Sequence, residues 1–179
     1  MKNFYSQRFN EIQKIHNNLD VKEIIKIENI IRSTKNKNKK IFVFCNGGSS
    51  STASHFCVDL SLNLKIKAIN FNEYNLITCY ANDFGYENWV KKVLEKYSEK
   101  GDLLILISCS GNSMNLVNGN KFALKKKLNV LTLTGCQKNN KLRKEKNLLN
   151  LWVNSKKYNI IEIIHHMILL NIIDKLSAK

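Results

Sequence analysis

The chain has 179 residues, of which 44% are hydrophobic, and it contains seven glycines and no proline. This length suits one domain, and the scarcity of glycine and proline excludes long irregular linkers. The formal net charge of +15 suggests an anionic partner. Almost all of that charge comes from lysine rather than arginine, the side chain that usually reads nucleic acid, so we do not expect nucleic acid as the main partner.

Cysteine content and hydropathy indicate the compartment. The five cysteines are an odd number and form no Cys-x-x-Cys pair, which predicts reduced thiols in a cytoplasmic protein. The first residues lack the continuous apolar core of a signal peptide. No apolar run approaches the length of a membrane span, so no membrane partner is expected.

Two amphipathic helices are predicted at the start of the chain. Apolar residues recur at steps of three and four from Tyr5 to Leu19, and Asp20 can cap a second helix that is rich in isoleucine. We expect their wide apolar surface to pack on another subunit. Residues 1–36 therefore form a helical pair that precedes an α/β core at 37–179, within a single domain.

Strands and helices alternate after this pair. Predicted strands cover residues 40–45, 67–71, 103–108, 130–133 and 148–153. Predicted helices lie between them, and a last helix covers 158–176. Two of these helices, at 72–80 and 86–97, are separated by a predicted loop that contains Asn82 and Asp83. The pattern predicts an α/β fold, a three-layer α/β/α sandwich around a parallel sheet.

A polar loop follows the third strand and reads Ser108-Cys109-Ser110-Gly111-Asn112-Ser113. Parallel sheets bind ligands beyond the carboxyl ends of their strands. The N–H groups and dipole of the next helix favour an anion there, and the serines add hydroxyl donors for phosphate oxygens. The alternative interpretation is a helix cap with incidental serines.

A second loop, Asn46-Gly47-Gly48-Ser49, follows the first strand. The glycines permit close approach of a ligand to the backbone, and Asn46 offers a donor and an acceptor to sugar hydroxyls. An ordinary tight turn is the alternative. Neither loop has the dinucleotide or P-loop fingerprint, so we expect neither a nicotinamide cofactor nor nucleotide hydrolysis.

Two helices carry clusters of imidazole and carboxylate. His55 and Asp59 are four residues apart after the second loop, and Glu162, His165 and His166 lie within one turn of the last helix. Together they could hold a divalent metal or act as acid and base. Alternatively, His55 is an interface histidine and at least one of the other two simply packs.

These residues together resemble the phosphoheptose isomerases of the sugar isomerase (SIS) class, which convert sedoheptulose 7-phosphate to a heptose phosphate. The resemblance covers most of the chain and is carried by four internal stretches and the last strand and helix: NGGSSSTASHFCVDL at 46–60, ANDFGYEN at 81–88, SCSGNSMN at 108–115, VLTLTG at 130–135 and residues 153–174.

The resemblance implies a set of ligand contacts and an assembly. Phosphate contacts are implied at Ser108, Cys109, Ser110 and Ser113. Sugar contacts are implied at Asn46, Gly47, Gly48, Asn82 and Asp83. Members of the family form homotetramers with sites at subunit interfaces, often with zinc, and the same is expected here.

Several positions differ from the family pattern. Asp59 stands for the family's glutamate base, Glu162 for a glutamine, Cys109 for a threonine, and Leu170 for a histidine that is both an acid/base and a metal ligand. Because His166 lies one turn before Leu170, we predict a shifted zinc site formed by His55, Asp59, Glu162 and His166. The alternative is that His165 is the polar histidine and His166 faces solvent or a partner.

We therefore predict a sugar-phosphate aldose–ketose isomerase that works through an enediol. Asp59 is expected to move the proton, and His55, Glu162 and His166 are expected to supply acid/base or metal partners. The alternative function is a non-catalytic sugar-phosphate-binding module that recruits a protein partner. Loss of the histidine at Leu170 favours this alternative, and retention of His55 and the two carboxylates opposes it.

Overall fold

Five parallel strands form the centre of the computed structural model, which describes residues 3–178. They are β1 (Ile41–Cys45), β2 (Ala68–Ile69), β3 (Leu103–Ser108), β4 (Asn129–Thr134) and β5 (Leu149–Trp152), in the order β2-β1-β3-β4-β5. Every residue of β1 and β3 is buried, as expected for strands that are covered on both faces. The predicted parallel sheet is confirmed.

Seven helices accompany the sheet within the described residues, and two short 3-10 turns lie at Tyr86–Asn88 and Leu142–Lys144. The helices are α1 (Phe4–Asn17), α2 (Val21–Asn36), α3 (Ser49–Leu62), α4 (Tyr74–Phe84), α5 (Trp89–Tyr97), α6 (Met114–Lys125) and α7 (Tyr158–Ser177).

The period-two alternation of the strands divides the core into two layers. Ile41 and Val43 of β1 join the layer that contains apolar side chains of α2, α3 and α7. Phe42 and Phe44 face the other way, into the layer that contains Trp89 of α5 and side chains of α6. The three-layer α/β/α sandwich predicted from the sequence is therefore confirmed.

Asp20, the predicted cap of α2, accepts a hydrogen bond from Lys22 N at 2.9 Å, and Asn3 caps α1 by accepting one from Tyr5 N at 2.9 Å. α2 buries Ile27 and Ile31 against the core, whereas no side chain of α1 is fully buried. Ile12 and Ile15 of α1 pack partly against the core, but Phe4, Tyr5 and Phe9 stay exposed in the single chain.

Two elements differ most from the sequence prediction, α4 and β2. α4 continues through Asn82 and Asp83, which were predicted to lie in a loop, and ends at Gly85, where φ is +82° and the N–H bonds to Ala81 O. β2 has two residues instead of five, because this edge strand pairs with β1 only at Ala68 and Ile69. No helix among residues 3–178 is long and apolar enough to span a membrane.

Candidate active site

The two polar loops begin side by side at the carboxyl edge of the sheet. Cys45 at the end of β1 pairs in register with Ile107 of β3, so the loops after these strands face one cavity of about 280 Å³. The cavity is lined by Asn46, Gly47, Gly48, Ser49, Ile107, Ser108, Cys109, Ser110, Ser113, Tyr158 and Glu162. The structure thus brings together every predicted ligand residue of both loops.

The loop after β3, which we call the phosphate loop (residues 108–113), is braced by its own serines. Ser108 Oγ accepts a hydrogen bond from Gly111 N at 3.1 Å, and Ser110 Oγ accepts one from Asn112 N at 3.2 Å. Ser113 is the N-cap residue of α6 but makes no side-chain cap hydrogen bond in the described structure. The N-terminus of α6 can therefore offer its N–H groups to an anion.

Cys109 is a buried, neutral member of the phosphate loop. Burial, assisted by the nearby Glu162 carboxylate, raises the pKa of its thiol to about 11. Its Sγ lies 3.9 Å from the carbonyl oxygen of Tyr158. The thiol is therefore protonated at neutral pH and does not serve as a nucleophile.

The loop after β1, which we call the sugar loop (residues 46–49), holds the carboxylate of Glu162. A Cβ atom on Gly48 would lie only 2.9 Å from Glu162 Oε2, so a larger residue here would require the carboxylate to shift. Ser49 Oγ donates to Glu162 Oε1 at 3.3 Å. The carboxylate thus sits at the N-terminus of α3, where the helix dipole favours negative charge.

A second polar group lies where α3 packs on α7. His55 Nε2 lies 3.3 Å from Asp59 Oδ2, and His55 Nδ1 lies 3.3 Å from His166 Nε2. His55 therefore joins a carboxylate on its own helix to an imidazole on α7. The three residues do not line the cavity, but Tyr158, Glu162 and His166 follow one another at four-residue steps along α7, from the cavity toward this group.

The four residues predicted as a shifted zinc site do not assemble as one, and the described residues include no group of three or more side chains placed to hold a metal. His55 turns one nitrogen toward His166 and the other toward Asp59, while Glu162 is held at Ser49. The two facing imidazole nitrogens, 3.3 Å apart, do fit two ligands of a tetrahedral zinc with bonds of about 2.0–2.1 Å.

His165 is a core residue rather than the polar histidine of α7. It is fully buried, and Nε2 lies 3.3 Å from the carbonyl oxygen of Thr134. Burial lowers the pKa of its imidazole to about 4, so the side chain is neutral at physiological pH. Of the two alternatives that the sequence left open, the structure favours the one in which His166 faces α3 and His165 packs.

Asn82 and Asp83, for which the resemblance implies sugar contacts, do not line the cavity of the two loops. Both are exposed on the last turn of α4, and Asp83 lines a separate depression of about 480 Å³ together with Cys79 and Phe84. This position follows from the continuation of α4 through both residues.

Four residues at the site were not predicted. Ile107 and Tyr158 line the cavity, and Asn115 and Tyr86 hydrogen-bond to the side chain of Asn46. Asn115 and Tyr86 lie within two of the stretches that carry the resemblance, residues 108–115 and 81–88, but no role was predicted for either. Their contact with Asn46 depends on the fold.

Residues 4–135, most of the chain, match the family model described as the SIS domain. The chain belongs to the SIS-domain family.

This SIS domain is 36% identical over 153 residues to the phosphoheptose isomerase of Buchnera aphidicola subsp. Acyrthosiphon pisum, covering 80% of this chain and 77% of that relative. It is 38% identical over 117 residues to the phosphoheptose isomerase of Cytophaga hutchinsonii, covering 63% of this chain and 61% of that one. The predicted resemblance to the phosphoheptose isomerases is confirmed.

Solved structures agree with the fold of this SIS domain. A phosphoheptose isomerase from Francisella tularensis superposes with a TM-score of 0.88 at 24% identity, over 98% of this chain and 95% of that one. The phosphoheptose isomerase from Neisseria gonorrhoeae also gives 0.88, at 23% identity, over 97% of this chain and 96% of that one. At these identities the likeness shows the fold alone.

Proposed function

We propose that the chain is a sugar-phosphate aldose–ketose isomerase that acts on sedoheptulose 7-phosphate. The observation that carries the proposal is a row of polar residues on α7, Tyr158, Glu162 and His166, which we call the polar row. It starts at the cavity beside the phosphate loop and leads to His55 and Asp59 on α3. The names of the relatives with 36% and 38% identity support the same substrate.

The phosphate loop determines the direction of the substrate. A phosphoryl group at the N-terminus of α6 would be bound by Ser108, Ser110 and Ser113. Successive members of the polar row lie about 6 Å apart along α7, since four residues of a helix rise by that length. A seven-carbon sugar that lies along this row would meet Glu162 with its middle hydroxyls, and would bring C1 and C2, at the end opposite the phosphate, to Asp59.

The reaction then needs only proton transfers. Asp59 removes a proton from C1 while His55 or His166 gives a proton to the oxygen on C2, which yields the enediol. The imidazole then takes the proton from the oxygen on C1, and Asp59 returns a proton to C2, which yields the aldose. The hydrogen bond between His55 and Asp59 keeps both groups oriented during these steps.

Zinc, which the resemblance implies, would be held by His55 and His166, whose nitrogens face each other. When bound, zinc would polarise a substrate oxygen. Every proton transfer above is assigned to side chains of this chain and does not depend on the ion.

Assembly and compartment belong to the same proposal. A homotetramer is supported by the open apolar surface of α1, where Phe4, Tyr5 and Phe9 are each more than 60% exposed. A cytoplasmic location is supported by the five free cysteines.

Incubation of the purified protein with sedoheptulose 7-phosphate, followed by NMR of the sugar products, tests the proposed activity. We expect an aldose phosphate to form, and we expect Asp59→Asn to slow its formation by about 100-fold or more because the proton acceptor is lost. Asp174→Asn, which changes an exposed carboxylate farther along α7, is the matched control and should keep full activity. Binding of the sugar without turnover by the wild type would instead support the non-catalytic module.

A further inference from the structure

The sugar loop is joined to the start of α6 by a pair of side-chain amides. Asn46 Nδ2 donates to Asn115 Oδ1 at 3.0 Å, and Asn115 Nδ2 donates to Asn46 Oδ1 at 2.8 Å. Asn115 is only 1% exposed and lies in the first turn of α6, directly after the phosphate loop. The pair therefore links the two loops of the cavity across 69 residues of sequence.

A third segment contacts the same pair. Tyr86 Oη donates to Asn46 Oδ1 at 3.0 Å from the 3-10 turn that follows α4. The turn is held on α6 because Asn118 Nδ2 donates to Glu87 O at 2.9 Å, and the next residue, Trp89, is 1% exposed in the core. Tyr86 is thus presented to Asn46 by an anchored segment.

These hydrogen bonds define the orientation of the Asn46 amide. Its Oδ1 accepts two hydrogen bonds, the full capacity of a carbonyl oxygen, and its Nδ2 donates one. A rotation that exchanged Oδ1 and Nδ2 would set like groups against each other across the Asn46–Asn115 pair. The second N–H of Asn46 therefore has a defined direction at the edge of the cavity that Asn46 lines.

We propose that Asn115 is a positioning residue for the isomerase reaction, that it acts through Asn46, and that Tyr86 assists it. The proposal rests on the proposed function. Asn115 does not line the cavity, so it influences the sugar by fixing Asn46 relative to the phosphate loop. Because the phosphate contacts are left in place, loss of this alignment should lower kcat more than it raises KM.

A double-mutant cycle on kcat and KM for sedoheptulose 7-phosphate tests this inference. The cycle combines Asn115→Ala with Asn46→Ala, and a second cycle combines Tyr86→Phe with Asn46→Ala. Tyr86→Phe removes one hydroxyl without changing charge or shape, so it remains informative if Asn115→Ala fails to fold. Tyr74→Phe removes the hydroxyl of another exposed tyrosine, and Asn129→Ala removes an amide at the opposite end of the sheet.

We expect Asn115→Ala to lower kcat by about 10-fold to 100-fold, Tyr86→Phe to lower it by about threefold to fivefold, and KM to stay within about threefold. In the Asn46→Ala background neither substitution should lower kcat further, because residues that act through a shared partner are not additive. Tyr74→Phe and Asn129→Ala should leave kcat unchanged.

Two results would overturn the inference. One is an equal loss of kcat in the wild-type and Asn46→Ala backgrounds, which would mean that Asn115 and Tyr86 act independently of Asn46. The other is a kcat for Tyr86→Phe and Asn115→Ala that matches the control variants. Turnover by the wild type is measured before any variant is made. If the wild type shows none, the proposed function fails, and the inference about Asn115 fails with it.

Discussion

Ser110 allows the proposed phosphate site to be tested by a change of charge. It lines the cavity in the phosphate loop, and its Oγ accepts a hydrogen bond from Asn112 N. Ser110→Asp would put a carboxylate at the position proposed for the phosphate. We expect the affinity for sedoheptulose 7-phosphate in calorimetry to fall by at least about 100-fold, because like charges in contact cost several kcal/mol. Ser177→Asp, at the exposed end of α7, is the control, and unchanged affinity in Ser110→Asp would contradict the site.

His166 provides a test of zinc that does not depend on activity. Its Nε2 lies 3.3 Å from His55 Nδ1, a separation that suits two ligands of a tetrahedral zinc. We expect metal-free protein to take up zinc, measured by atomic absorption after dialysis, and His166→Ala to lose that uptake. His16→Ala removes an exposed imidazole from α1 and should keep it. Equal uptake by His166→Ala and the wild type would exclude this pair as ligands.

His165 should make the free energy of unfolding depend on pH. Burial lowers the pKa of His165 from 6.5 to about 4. Between these pH values the imidazole is protonated in the unfolded chain but stays neutral in the folded chain. The contribution is fully present above pH 6.5 and falls between pH 6.5 and 4, by about 1.4 kcal/mol per pH unit at most. Urea unfolding of His165→Leu should show a shallower decline over this range, whereas His16→Ala should follow the wild type.

At the level of single residues, the sequence predicted which residues of the two loops line the cavity. This was possible because each loop is a short continuous segment that follows a recognisable strand. The sequence could not show which of His165 and His166 is buried in the core and which faces α3. Apolar residues occur on all sides of α7, so its amphipathic pattern does not indicate which histidine is buried. Contact with Thr134 of β4 decides it, and that contact depends on the whole sandwich.

Gly111 lies where the phosphate loop meets the segment after β4. It has a φ of +64°, and a Cβ atom would overlap the side chain of Asn140, which is buried beside it. We expect Gly111→Ala to lower the free energy of unfolding by about 1–3 kcal/mol and to weaken sugar-phosphate binding.

Gly101→Ala is the matched control for this prediction. Gly101 also has a positive φ, of +87°, but its Cβ would meet only the flexible side chain of Lys39 at 3.5 Å. Gly101→Ala should therefore lower the free energy of unfolding through backbone strain but leave sugar-phosphate binding unchanged. Equal sugar-phosphate binding by Gly111→Ala and the wild type would show that binding does not depend on the position of the Asn140 side chain.

The elements themselves were largely predictable, since strands that are buried on both faces appear in the sequence as continuous apolar runs. The end of α4 was not, because Asn82 and Asp83 are residues typical of loops. The left-handed backbone at Gly85 ends the helix instead, and this moves both residues away from the cavity.

The whole molecule presents an apolar surface that its single chain does not cover. No side chain of α1 is fully buried, and Phe9 is 67% exposed. We expect light scattering at micromolar concentration to give a tetramer, and Phe9→Glu to shift it to smaller species, because a buried charge is costly in an apolar interface. Leu148→Glu, at another exposed apolar residue, should leave the assembly intact. A monomeric wild type would contradict the prediction.

The family and the sandwich could be predicted from the sequence because motifs and hydropathy are both written along the chain. The assembly could not be predicted in the same way, because it depends on how the surface of one subunit fits the surface of another. The apolar stripe from Tyr5 to Leu19 was visible in the sequence, and the structure adds that Ile12 and Leu19 pack partly against the core while Phe9 stays exposed.

The burial of the thiols has a practical consequence for chemical labelling. Alkylating reagents attack the thiolate, and burial raises the pKa of Cys109 to about 11 and that of Cys57 to about 12, while the pKa values of Cys45 and Cys136 are also raised. Cys79 is the exposed cysteine and lies on α4, outside the cavity of the two loops. We therefore expect a maleimide fluorophore to react first at Cys79, so the native sequence offers a labelling position outside the cavity without added cysteines.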